Sequence, residues 1–106
     1  MSHDAEERFW EIAEELQAKD DRVGEGTIMG FQCLRVSGEF LAMVEHKSDR
    51  LVVKLPADRV AALVADGLGA PFAPAGKVFR EWVAVDYGDG DLWRALLEEG
   101  ITFVGG

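Results

Sequence analysis

The stretch Arg50 to Gly67, RLVVKLPADRVAALVADG, contains the signals for a strand, a helix start, a helix and a helix end in immediate succession. The apolar run LVVKL (51–55) predicts a strand. Pro56 suits the first position of a helix, because the N–H that proline lacks would be unpaired there. The helix is predicted to run to about Asp66, where Gly67 suits the left-handed residue that follows many helices. Its inward side chains are expected to be Val60, Leu63 and Val64.

Two further strands are predicted before this stretch. FQCLRV (31–36) and EFLAMVE (39–45) flank Ser37-Gly38, a pair that favours a tight hairpin because Gly38 can take a positive φ. Together with residues 51–55 they are predicted to form a three-stranded meander. The sequence also allows a further short strand before Gly30. Strand alternation in the second segment places Leu41 and Met43 on one face. The opposite face would receive Phe40, Ala42 and Val44.

The N-terminal segment predicts a helix from Ala5 to Lys19, ended by KDDRVGEG (19–26). Four apolar residues have the spacing of one buried helix face: Phe9, Ile12, Ala13 and Leu16. After the central helix, GLGAPFAPAGK (67–77) is expected to form one long irregular loop, because glycine and proline interrupt regular structure. REWVAVDY (80–87) predicts the last strand.

A final helix is predicted from Asp91, with an apolar stripe on one side: Trp93, Leu96, Leu97, Ile101 and Val104. Gly100 lies within that stripe at a cost of roughly 1 kcal/mol relative to alanine. We favour a continuous helix; the alternative ends it at Gly100 and makes ITFV (101–104) a short strand. The element order is then α-β-β-β-α-β-α. This order predicts one α+β domain over residues 1–106, an antiparallel sheet with helices packed on it.

The amino-acid composition argues against binding to nucleic acid and against association with membranes. The 106 residues carry 20 acidic and 11 basic side chains, a formal net charge of −9. Nucleic-acid-binding domains are usually basic, so this charge disfavours binding to nucleic acid and to anionic membranes. No apolar run approaches the roughly 20 residues that span a bilayer. The N-terminus MSHDAEERFW lacks the basic-then-apolar order of a signal peptide, so we expect a cytoplasmic protein.

The residues do not indicate a reactive centre. Cys33 is the only cysteine, which excludes an internal disulfide, and we expect it to be a small buried hydrophobic residue. One cysteine and two separated histidines provide no zinc-ligand pair at a useful spacing. Asp86, Asp89 and Asp91 do not match the ligand spacing of a calcium loop. We therefore predict no catalytic, cofactor-binding or metal-binding residues and no enzymatic activity.

Four residues are candidates for an interaction surface: Lys54, Arg35, Arg80 and Trp82. Lys54 lies between Val53 and Leu55 in the sequence and is expected to point outward, its stem along the sheet. It is either a solvated surface lysine or, with Arg35, Arg80 and also Lys77, part of a basic area on an acidic domain. Alternation places Trp82 with Ala84 on one face of its strand, and tryptophan is enriched at the centres of protein interfaces.

The order of several segments resembles that in the TfoX N-terminal-domain and YjbR (MmcQ-like) superfamily of small bacterial proteins. The resemblance covers about Ile28 to Val104 and is carried by IMGFQCLRVSGEFLAMV, RLVVKLPADRVAALVADG, APFAPAGKVFREWVAV and LWRALLEEGITFV. Two positions depart from the family pattern. Met29-Gly30-Phe31 replaces a Met-Phe-Gly entry, and Glu39 stands where the hairpin commonly has lysine.

The resemblance implies a secretion-chaperone-like α+β fold that is often dimeric, and a link to competence regulation or DNA binding. No residue role transfers with it. Our leading hypothesis is a small non-enzymatic binding or regulatory domain that acts by contact with an unknown protein partner, as a homodimer. The alternative is a DNA-associated regulator, which the net charge opposes.

Overall fold

The computed structural model describes residues 4–28, 30–45, 48–73, 76–88 and 90–106. In chain order its elements are α1 (Asp4–Lys19), β1 (Val23–Ile28), β2 (Phe31–Val36), β3 (Glu39–Glu45), β4 (Arg50–Lys54), α2 (Ala57–Ala65), β5 (Ala70–Phe72), β6 (Phe79–Val85) and α3 (Gly90–Gly105).

The strands form one sheet in the order β1-β2-β3-β4-β6-β5, and every pair of neighbours is antiparallel. The first four strands follow one another as a meander. The chain then crosses through α2 to β5 at the far edge and returns as β6 between β5 and β4. The predicted α+β class is confirmed, but the element order is α-β-β-β-β-α-β-β-α, with two strands more than the sequence predicted.

The first additional strand is β1, which occupies part of the segment expected to end α1. It pairs with β2 along its whole length, from Val23↔Val36 to Ile28↔Phe31. Two glycines lower its intrinsic strand propensity, yet pairing and the burial of Val23 outweigh that local preference. The strand that the sequence left open before Gly30 therefore exists.

The second additional strand, β5, lies in the segment expected to be one long loop, so that prediction was wrong for Ala70–Phe72. Ala70 pairs with Ala84 and Pro71 with Val83. Proline is tolerated here because β5 is at the edge of the sheet, where the N–H that Pro71 lacks is not needed by a further strand.

The ends of α2 follow the sequence prediction closely. Pro56 is at the N-cap, one residue before the first helical position predicted for it. At the other end Gly67 has φ of 77°. The amide of Gly67 donates to the carbonyl of Val64, and that of Leu68 donates to the carbonyl of Leu63. These two bonds form a Schellman motif, which ends the helix.

The helix α3 is continuous through Gly100, as favoured from the sequence. Trp93, Leu96 and Leu97 are fully buried and Ile101 nearly so. A Cβ atom at Gly100 would lie 3.0 Å from the carbonyl oxygen of Lys54 and 2.7 Å from the Cδ1 atom of Leu41. Glycine is therefore required by the close approach of α3 to β3 and β4, and its low helix propensity is tolerated for that reason.

The β2–β3 hairpin is confirmed, with φ of 53° at Ser37 and 84° at Gly38, as a type I′ turn requires. The predicted faces of β3 were wrong for two residues, Phe40 and Leu41. Leu34 pairs with Ala42 whereas Arg35 pairs with Phe40, so Leu41 is the additional residue of a β-bulge. Leu41 therefore joins Ala42 and Val44 in the helix-side core, whereas Phe40 joins Met43 on the opposite face.

The three helices pack on one face of the sheet. Buried residues of α1, α2 and α3 share one cluster with strand residues from that face, including Leu34, Leu51, Val53, Val83 and Val85. The predicted inward residues of α1 are all buried, and Trp93 donates its indole N–H to the carbonyl of Asp86 at 3.1 Å. Two bidentate ion pairs connect the helices across this layer, Arg94 with Glu15 and Arg59 with Glu99.

Candidate interaction surface

The opposite face of the sheet has its own apolar cluster, and every described member belongs to a strand. Its buried residues are Cys33, Phe40, Met43, Val52, Phe72 and Ala84, with Ile28, Phe79 and Trp82 packed against them. We call Phe40, Phe72, Phe79 and Trp82 the aromatic face. Its rings, rather than a helix, pack over the small side chains of this side of the sheet.

Trp82 is the centre of the aromatic face. Its ring stacks on Phe40 at a centroid distance of 4.3 Å, on Phe79 at 4.9 Å and on Phe72 at 5.5 Å. The interplanar angles lie between 21° and 23°. Because Trp82 stacks with three rings in this way, much of its π-surface is already in contact with other side chains. It remains half-exposed, so its outer part is available to a partner.

Other apolar side chains on this side are exposed as well. Phe31, the register partner of Ile28, is 44% exposed, and Val78 just before β6 is 57% exposed. Exposed apolar groups that are grouped together mark interaction surfaces more often than scattered ones do. Val78 lines one groove with Phe79 and Trp82, whereas Phe31 adjoins the cluster at its other end, through Ile28. The aromatic face with these two exposed residues is therefore the strongest candidate for an interaction surface in the described part of the chain.

The structure places Lys54 and Arg80 beside Trp82. Lys54 is the register partner of Trp82 and is half-exposed, on the side of β4 opposite Val53. Lys54 and Trp82 line one open depression of about 370 Å³, together with Arg80, Glu81 and Phe79. The outward orientation predicted for Lys54 is confirmed, and so is the placement of Trp82 on the same face as Ala84.

Arg35 lies on the same side of the sheet, but its side chain is held by hydrogen bonds to the backbone. Its guanidinium donates to the carbonyl of Thr27 at 2.6 Å and to that of Gly38 at 3.0 Å. A Cβ at Gly26 would overlap the Arg35 side chain, so that glycine provides the space in which the arginine lies. Arg35 therefore connects β1 to the β2–β3 turn, apart from the Lys54 and Arg80 depression.

Three cations close to the aromatic face differ from the arginines of the described residues that form ion pairs. Among the described residues five arginines pair with carboxylates: Arg8, Arg22, Arg50, Arg59 and Arg94. Lys54, Lys77 and Arg80 have no ion pair to a described carboxylate, and the Lys77 ammonium lies 5.8 Å from the centroid of the Phe79 ring. An acidic protein thus presents uncompensated cations next to its aromatic face.

Cys33 is buried, as expected, and belongs to the cluster beneath this face. Burial raises the pKa of its thiol, an effect that the nearby Arg35 charge opposes more weakly. The thiol is therefore protonated near neutral pH, the unreactive form of cysteine.

Neither the aspartate cluster nor the histidines contribute to a site in the part of the chain that is described. Over residues 4–28, 30–45, 48–73, 76–88 and 90–106, three metal-ligating side chains nowhere converge. Asp89, His3 and His46, which the sequence analysis considered, lie outside these residues. The helices found in the same ranges are all too short or too polar to cross a membrane.

Phe40, Phe72 and Phe79 were not predicted as site residues. Alternation assigned Phe40 together with Ala42, and the bulge at Leu41 reversed that relation. Phe72 was placed in a loop. The signal available in the sequence was the density of aromatic residues in APFAPAGKVFREW (70–82), which a long irregular loop does not explain.

Comparison with protein-family models, with curated proteins and with solved structures finds no match to this chain. The resemblance to the TfoX N-terminal-domain and YjbR superfamily therefore stays a prediction. The case for a function depends on the geometry of the aromatic face.

Proposed function

We propose that this chain is a small cytoplasmic, non-enzymatic binding domain that acts by protein–protein contact through the aromatic face. The observation that carries the proposal is the second apolar cluster, which is built from strand side chains, leaves Trp82 partly exposed and reaches through Ile28 to its register partner Phe31, which is 44% exposed. Aromatic residues at the centre and charged residues at the margin are the usual composition of a protein interface. The buried, protonated thiol of Cys33 supports a role other than nucleophilic catalysis.

Affinity capture with matched variants tests this proposal. Phe31→Ser removes an exposed ring on the aromatic side, whereas Phe103→Ser removes a ring of similar exposure, 36%, from α3. We expect a protein captured by the wild type and by Phe103→Ser to be lost or reduced at least fivefold with Phe31→Ser. Capture that is equal for all three proteins, or absent with the wild type, would contradict the proposal.

We further propose a homodimer, formed by the edge strand β1. This strand has six residues and pairs only with β2 among the described strands. Glu25 is its one charged residue, and it contains neither the lysine nor the proline that commonly protect an edge from pairing. Two copies related by a twofold axis can align β1 antiparallel to its equivalent. Light scattering after size exclusion should then give about twice 11.6 kDa at high concentration. A constant mass of one chain would rule the dimer out.

DNA association is a second candidate, and the uncompensated cations Lys54, Lys77 and Arg80 favour it. The net charge of −9 weighs against duplex DNA, and the stacked setting of Trp82 weighs against single-stranded nucleic acid, whose bases stack on free aromatic faces. Titration of duplex DNA at low salt separates the two functions. Binding that is lost with Lys54→Glu would support a DNA regulator, and no binding at low salt would exclude it.

A further inference from the structure

A groove runs between α2 and the aromatic face. Its volume is about 440 Å³. One wall is the exposed side of α2 with Ala57, Ala61 and Ala65, which are four residues apart and therefore share one helix face. The opposite wall consists of Phe79 and Trp82, and Arg80 is the single charged residue of the lining. The small alanines allow another backbone to approach α2 closely.

The groove changes from apolar to cationic along its length. Ala57, Phe79, Arg80 and Trp82 also line the depression that contains Lys54, so the two are continuous. Glu81 lines the cationic end, but no ion pair within 4.0 Å joins it to Lys54 or Arg80. A ligand with apolar groups at one end and carboxylates at the other would match this arrangement.

We infer that the groove binds an amphipathic, acidic helix of a partner protein, an inference that rests on the protein-binding function proposed above. Apolar side chains of the partner would lie between the alanines of α2 and the rings of Phe79 and Trp82. Its carboxylates would lie against Lys54 and Arg80. A helix fits better than an added strand, because the neighbouring edge strand β5 has three residues, one of them Pro71.

A second copy of this chain fits the groove poorly. Two copies meeting through the same surface would bring Lys54 and Arg80 of both copies into one interface, where like charges repel. The acidic helix α1 does carry carboxylates, but its apolar residues Phe9, Ile12 and Leu16 are buried in its own core. The occupant therefore has to be a different polypeptide that provides both acidic and apolar side chains.

Selection from a displayed library of amphipathic helical peptides tests the inference and does not require the natural partner. The full chain is the target, and the library varies charged and apolar positions without bias. We expect enriched peptides to be rich in Asp and Glu on one side and in Leu, Phe or Trp at helical i, i+3 and i+4 spacing. Fluorescence anisotropy of an enriched peptide then gives its Kd.

Two pairs of variants locate the binding. Lys54→Glu combined with Arg80→Glu should weaken the peptide at least tenfold, whereas Lys19→Glu, at the end of α1, should change its Kd less than twofold. Ala61→Gln places a larger polar group in the groove and should weaken binding at least fivefold. Ala62→Gln is the matched control, because Ala62 is exposed on the same helix but does not line the groove.

Different experimental results would contradict helix binding in the groove and protein binding through the aromatic face. Two results would overturn the groove but leave the aromatic face as the binding surface. One is the enrichment of peptides that are not acidic. The other is a peptide whose binding is weakened by Phe31→Ser but unaffected by the Lys54, Arg80 and Ala61 variants. Peptides unaffected by all of these changes, or no enrichment at all, would overturn the groove, and affinity capture that Phe31→Ser also leaves unchanged would overturn both. Equal binding of an unrelated polyanion such as heparin would likewise overturn recognition of an acidic helix.

Discussion

Gly100 shows how a single residue determines the distance between two layers. The sequence indicated only that glycine weakens a helix by roughly 1 kcal/mol relative to alanine. In the structure α3 passes close to β4 at this residue, with the Lys54 carbonyl oxygen and the Val53 side chain within 3.0 and 3.3 Å of a would-be Cβ. The low helix propensity of glycine costs less than the steric overlap that alanine would cause, because a methyl group here would push α3 away from the sheet.

We therefore predict that Gly100→Ala lowers the free energy of unfolding by about 1–2 kcal/mol, since overpacking exceeds the gain in helix propensity. Chemical denaturation measures it. Gly24→Ala is the control: its Cβ meets nothing within 4 Å, and Gly24 has no positive φ. The control should be neutral or stabilising. A stabilised Gly100→Ala protein would show that α3 and β4 are not in close contact.

Asp20 connects the end of α1 to the start of β1 through charge. The side chain of Arg22 donates to both of its carboxylate oxygens, at 2.8 and 3.0 Å, and its backbone amide donates at 2.9 Å. These bonds lower the pKa of Asp20 from 3.8 to about 2. Because the folded pKa is the lower one, the contribution to stability is complete above about pH 4 and is lost as the pH falls towards 2.

Asp20→Asn should remove this pH-dependent contribution. We expect the variant to lose less stability than the wild type between pH 4 and pH 2, measured as the denaturation midpoint at each pH. Arg22→Gln should give the same reduced slope, because it removes the other half of the interaction. A slope equal to that of the wild type in both variants would mean that the ion pair does not form in solution.

At the scale of elements, the strand side chains of the aromatic face act as a substitute for a helix layer. Trp82 contacts three rings, whereas Trp10 makes one edge-on contact with Phe9. We predict that Trp82→Ala lowers the free energy of unfolding by about 3 kcal/mol, as large-to-small changes in packed aromatic clusters do. Trp10→Ala should have a clearly smaller effect. Equal effects in thermal denaturation would contradict the stacked arrangement.

The elements were predictable where local signals agreed with the final packing. The hairpin at Ser37-Gly38, the Schellman end of α2 at Gly67 and the apolar stripe of α3 all follow from spacing and turn chemistry. The strands β1 and β5 did not, because glycine and proline are local signals against strands and pairing with β2 and β6 outweighs them. The bulge at Leu41 has no clear signature in the sequence, and it decides which face Phe40 occupies.

The same limits apply to the candidate surface. Lys54 and Trp82 could be assigned to a face by strand alternation, and they prove to be register partners. The sequence could neither place Arg35 on that side nor predict its bonds to Thr27 and Gly38, because both depend on the register between strands. The groove beside α2 could not be predicted, because it requires the crossover that returns β6 between β4 and β5.

At the scale of the whole molecule, the two sides of the sheet have different roles. Three helices and four arginine–carboxylate pairs, those of Arg8, Arg22, Arg59 and Arg94, lie on the helix side, where the arginine of each helix is paired with a carboxylate. The other side combines stacked rings with cations that have no ion pair to a described carboxylate. An acidic domain with three such cations, Lys54, Lys77 and Arg80, beside its most aromatic surface is suited to an acidic protein partner.

The most direct test of this account is a chemical-shift titration of the ¹⁵N-labelled chain with an acidic amphipathic peptide enriched from the displayed library. We predict that the shifted amides cluster in residues 54–65 and 78–84, and that raising the salt concentration weakens the binding. Shifts confined to α1 and α3, or no shifts at peptide concentrations well above the anisotropy Kd, would contradict the claim that the aromatic face and its groove form the binding surface.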